Sequence, residues 1–77
     1  MDWIWTDHIE KQLTERNISK NLAEFTLNNP DKIVIGSKNR KIYQKIFEKK
    51  LIRVVTEGDR LVTVYLTNKI NKYMNGD

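Results

Sequence analysis

The chain has no cysteine, one histidine, one proline and three glycines. Without thiols, disulfides, thiolate zinc sites and cysteine nucleophiles are excluded. A metal site would have to be built from His8 and carboxylates scattered among lysines, a poor donor set for transition metals, so neither metal nor cofactor is expected. No stretch approaches the ~20 apolar residues of a membrane span. The amino terminus lacks the basic and apolar segments of a signal peptide, and the expectation is a soluble, cytoplasmic protein with no membrane partner.

What remains is a short, basic chain. Seventy-seven residues suit one domain near the size at which a hydrophobic core alone offsets chain entropy. With 39% hydrophobic and 31% charged residues it is balanced like a folded domain, and every element must contribute to one core. The net charge is +4, concentrated in Lys38, Arg40 and Lys41 and continuing through Lys45 to Lys49 and Lys50. Such a run attracts polyanions, RNA and DNA first among them, and serves equally as a solvated surface that keeps strand edges soluble.

The pattern of residues predicts two helices followed by strands. Trp3 and Trp5 flank Ile4 and are read as a cover for the core edge. Asp7 followed by Glu10 reads as a capping box that opens helix 1, with Ile9 and Leu13 facing inward. His8, Gln12 and Arg16 fall in a second stripe and would face a common groove. Asn17 tolerates the left-handed conformation, Ser19 caps a second helix over about residues 20–27, and Ile18 staples onto Ala23. Leu22, Ala23 and either Phe25 or Leu27 supply its core face, and Pro30 ends it.

Strands are expected at 32–35, 41–48, 51–56 and 60–67, with turns at Gly36 to Arg40, Lys49-Lys50 and Glu57-Gly58-Asp59, and a last helical turn within 68–74. Helices first and strands afterwards imply an α+β domain, with the helices on one face of a four-stranded, mainly antiparallel sheet. Its core spans about 7–73. Alternation in the last two strands sends Val62, Val64 and Leu66 to one face and Leu61, Thr63, Tyr65 and Thr67 to the other, and it separates Arg53 from Ile52 and Val54. Arg53, Thr63 and Tyr65 would then share a polar face suited to phosphate. Good strand propensity accounts for Thr63 and Tyr65 equally well.

The order of Thr6-x-His8, Arg16, Ile18-Ser19, Asn29-Pro30-Asp31, Tyr43-Gln44-Lys45, Arg53-Val54-Val55 and Val62-Thr63-Val64-Tyr65 resembles the uncharacterised family catalogued as domain of unknown function 4258. The likeness covers roughly residues 7–73. Two positions depart from it: the family commonly has a basic residue where this chain has Gln12, and glycine where it has Asn17. Asparagine preserves the turn, whereas Gln12 removes a charge that a phosphate site would use. The resemblance implies a helix-plus-four-strand domain similar to the barnase, EndoU, colicin and RelE group of small ribonuclease toxins, with an antitoxin or immunity protein as partner. Fold by itself does not decide function.

Two functional expectations follow. In the first, the chain is a metal-independent ribonuclease: His8 is the acid or base, Arg53 neutralises phosphate, and Thr63 and Tyr65 donate hydrogen bonds, making His8, Arg53, Thr63 and Tyr65 the catalytic set. Arg16, Arg40, Lys41 and Lys45 would hold RNA. In the second, the same cations serve a non-catalytic module for nucleic acid or protein, and His8 only decorates a helix start. An open edge strand would allow a homodimer.

Overall fold

A computed structural model describes residues 2–75. It has two N-terminal helices, α1 (Asp7–Glu15) and α2 (Lys20–Asn28), then strands β1 (Lys32–Ile35), β2 (Arg40–Phe47), β3 (Lys50–Glu57) and β4 (Arg60–Thr67), and a short helix α3 (Ile70–Asn75). The strands form one antiparallel sheet in chain order. Three hairpins suffice for that topology, and positive-φ residues turn each of them: Lys38 and Asn39, then Glu48, then Gly58.

The expected helix boundaries stand, with one exchange at the first cap. Thr6, not Asp7, is the N-cap of α1, its hydroxyl accepting from Ile9 N–H at 3.1 Å. Ser19 caps α2 by accepting from Leu22 N–H at 3.1 Å, and Asn17 adopts the left-handed conformation at φ 56° that lets the chain reverse between the helices. Ile9, Leu13, Ile18, Ala23 and Leu27 pack with Ile52, Val54, Leu61 and Val64 in one cluster, flanked by Trp3, Trp5 and Tyr43. Of the two candidates in α2, Leu27 is the core residue. Phe25 stays half exposed, with the Lys45 ammonium 4.9 Å from its ring centre.

β4 departs from simple alternation. Val55 pairs with Thr63 and Thr56 with Leu61, so Val62 is an extra residue in the ladder. The bulge reverses the facing of what precedes it, and Leu61, expected beside Thr63, enters the helix-side core instead. β3 is buried on both faces, because α1 and α2 cover Ile52 and Val54 while α3 contacts the side that carries Arg53.

Candidate functional site

Two contact networks meet on β4, one at Thr63 and Val64 and the other at Tyr65. The first is built by α1. Ile9 and Leu13 pull the helix onto the core, and the helical spacing brings Gln12 and Arg16 against the outer edge of β4. The Gln12 carbonyl oxygen accepts from Val64 N–H at 3.0 Å and from the Thr63 hydroxyl at 2.8 Å. Arg16 Nη1 donates to the Val64 carbonyl at 2.7 Å and lies 3.4 Å from Thr63 Oγ1. A strand edge that would otherwise be bare is thereby satisfied.

These bonds also select which imidazole nitrogen faces the Gln12 amide as acceptor. Val64 N–H can only donate, so Gln12 Oε1 must face it, and Gln12 Nε2 then donates to His8 Nε2 at 2.9 Å. In the neutral imidazole this arrangement makes Nε2 the acceptor and leaves the proton on Nδ1. His8 and Arg16 are exposed while Gln12 is buried, so the buried amide holds an exposed imidazole, and the neighbouring guanidinium is fixed to the same stretch of β4. The stripe of His8, Gln12 and Arg16 is thus brought together as expected. Gln12, read from sequence as a lost charge, joins His8 to Thr63.

The second network lies on the sheet face opposite α1 and α2. Arg53 is only 8% exposed, and no carboxylate among the described residues pairs with it. Its Nε donates to Gln44 Oε1 at 2.6 Å, its Nη1 donates to the Tyr65 hydroxyl, and its guanidinium carbon lies 3.8 Å from the centre of the Tyr73 ring. Gln44 Nε2 in turn donates to the Tyr73 carbonyl at 3.2 Å. A buried cation with neutral partners is tolerable here because two acceptors and an aromatic face replace its water. Arg53 and Tyr65 pair directly, as the shared polar face required. Thr63 and Tyr65 are alternate residues of β4, spaced by roughly 7 Å along the strand.

The basic residues assigned to RNA do not form one surface. Gln44 pairs with Arg53 and Lys45 with Ile52, so Lys45 lies on the helix side of the sheet and Arg53 on the other. There Lys45 Nζ donates to the Asn29 carbonyl at 2.9 Å and sits 3.5 Å from Asp31. Asp31 accepts from Ile46 N–H at 2.9 Å. That bond first, and Lys45 after it, holds its carboxyl below the ordinary carboxylate value. Lys45 is thus spent on the junction of α2 with β2. Lys41 stands opposite Thr56, and Arg40 pairs with Glu57 at 3.4 Å.

Gln44 is the residue that sequence reasoning missed. It is fully buried and central to the Arg53 network; its phase with Ile42 and Ile46 was the available signal, since it is a polar residue in an apolar register. No cluster of three or more histidine, cysteine or acidic side chains suited to a metal occurs among the described residues. No helix among them is long and apolar enough to cross a membrane. Comparison of the chain with known protein families, curated proteins and solved structures finds no match.

Proposed function

We propose that the chain is a metal-independent endoribonuclease acting at the outer margin of β4. The observation that carries this reading is the Gln12 bridge: it holds an exposed imidazole on the same few ångströms of strand as Thr63 and the Arg16 guanidinium. RNA cleavage by its own 2′-hydroxyl needs a base for that hydroxyl, a proton for the leaving 5′-oxygen and cations around the phosphorane. In this reading the 2′-hydroxyl displaces the Gln12 amide from His8, and Nε2 takes its proton as the 2′-oxygen attacks phosphorus. The bond from phosphorus to the 5′-oxygen breaks. Tyr65, whose oxygen already accepts from Arg53, has its own hydrogen free to donate to that leaving oxygen, and solvent later restores it. Arg16 and Thr63 face the developing charge, and the products are a 2′,3′-cyclic phosphate and a 5′-hydroxyl.

One observation favours a different class. The lone pair of His8 Nε2 is occupied by Gln12, which suits a purely structural imidazole in a module that binds RNA without cutting it. Labelled RNA incubated with the protein in chelator separates the two. Cleavage should fall by about two to four orders of magnitude in His8→Ala, and should weaken in Arg16→Ala and Tyr65→Phe. Wild-type cleavage rates in His8→Ala would remove the catalytic assignment, and salt-sensitive binding with no cleavage by the wild type would leave the binding module.

A further inference from the structure

His8 belongs to a second feature that the reading above does not use. A groove of about 330 Å³ opens between the start of α1 and the turn end of the sheet, lined by Thr6, His8, Arg40, Glu57, Arg60 and Val62 among others. Its polar floor follows from strand register. Arg40 stands directly opposite Glu57, and Glu57 directly opposite Arg60, so the three side chains form one row across three strands on a single face. Neighbouring strands lie about 4.8 Å apart, which sets the two arginine backbones roughly 10 Å from each other.

The row is arranged so that cationic donors remain available. Arg40 uses Nε toward Glu57, leaving the terminal fork of its guanidinium, the part that engages phosphate bidentately. No carboxylate lies within ion-pair distance of Arg60 among the described residues. The Arg40–Glu57 pair is half exposed on both sides, so its attraction is small and a phosphate can compete for the guanidinium. The groove is also continuous with the β4 margin: His8 lines both, and Val62, the bulged residue, immediately precedes Thr63.

We infer that this groove is a phosphodiester-binding subsite in which Arg40 and Arg60 hold the backbone of the RNA strand that flanks the site at β4. The inference rests on the proposed RNA-directed function, and it adds Arg60, which no sequence motif singled out. Glu57 positions Arg40 and presents its other lone pairs to an exocyclic base amine, the partner a carboxylate prefers on a nucleobase edge.

The test uses a fluorescent 2′-O-methyl oligonucleotide, which lacks the attacking hydroxyl and cannot be cleaved, titrated by anisotropy across a salt series. Arg40→Ala and Arg60→Ala should each weaken binding at low salt and reduce the slope of log affinity against log salt by about 0.7, the single-strand value for one phosphate contact. Lys49→Ala removes the same charge from the opposite, β2–β3 end of the sheet and should leave the slope at the wild-type value. All three positions are exposed, and circular dichroism confirms that each variant is folded. Equal effects of all three substitutions would overturn the subsite in favour of diffuse attraction, as would wild-type slopes in both arginine variants. Normal slope changes without any RNA cleavage by the wild type would sink the nuclease and spare the groove.

Discussion

Gln12 concentrates three tasks in one amide: it satisfies a strand edge, binds Thr63 and orients His8. Only the first of these is essential to the fold. Gln12→Ala leaves Val64 N–H, in a buried residue, without its acceptor, and the expected loss is about 1–3 kcal/mol. Gln12→Glu retains an acceptor oxygen and should recover most of that loss. Urea unfolding of the three proteins checks this, and an alanine variant within about 0.5 kcal/mol of wild type would show that the edge is satisfied by other means. Arg53 follows the same logic of use on the other network. Its donors are directed to Gln44 and Tyr65 beneath α3, so under the proposed nuclease function it would act through Tyr65 as a positioning residue.

At the scale of elements, α3 is the piece least able to stand alone, since six residues are far too few for a stable isolated helix. It is fastened by the Tyr73 ring under Arg53, by the Tyr73 carbonyl on Gln44 and by the Met74 carbonyl on Lys32. The ring and the backbone carry these contacts. Tyr73→Phe should therefore match wild type, whereas Tyr73→Ala should lose about 1–2 kcal/mol of cation–aromatic stacking and speed amide exchange through α3. Equal destabilisation by both substitutions would mean that the phenol hydroxyl, and not the stacked ring, holds the helix. β4 shows the opposite case of an element whose edge is covered, from Asp59 to Val64. Ile4 exchanges backbone bonds with Asp59 and Leu61, Thr6 reaches the Leu61 carbonyl at 3.4 Å, and Gln12 and Arg16 take Val64.

For the whole molecule, covering β4 over that stretch leaves β1 as the other edge of the sheet, with Ile33 and Ile35 exposed along it. The helical layer is tied to the sheet near β1 through Asp31, which joins the end of α2 to Ile46 and Lys45. Because its carboxyl is held below the ordinary value in the folded state, Asp31 stabilises the protein fully above the unfolded carboxylate pKa. That contribution is lost as pH falls through the lower, folded value. Asp31→Asn should thus lower the urea midpoint at about pH 7 and converge on wild type once the pH has fallen through the lowered, folded value and the carboxyl is protonated. A difference that persists unchanged in acid would assign the effect to something other than the carboxylate charge.

The sequence by itself determined the layers. Apolar spacing at Ile9 and Leu13, the Ser19 cap, the Asn17 turn and the alternation around Ile52 and Val54 are local signals, and local signals are enough to place two helices, three hairpins and a sheet. They also placed Arg53 and Tyr65 on one face. Tertiary structure alone decided the rest. The bulge at Val62 turned Leu61 inward, and register put Lys45 behind the sheet from Arg53. Gln12 was recruited to an edge that lies 52 residues away in sequence. Each of these depends on which strand residue stands opposite which, or on which backbone group is left unpaired, and such pairings arise only when distant segments pack.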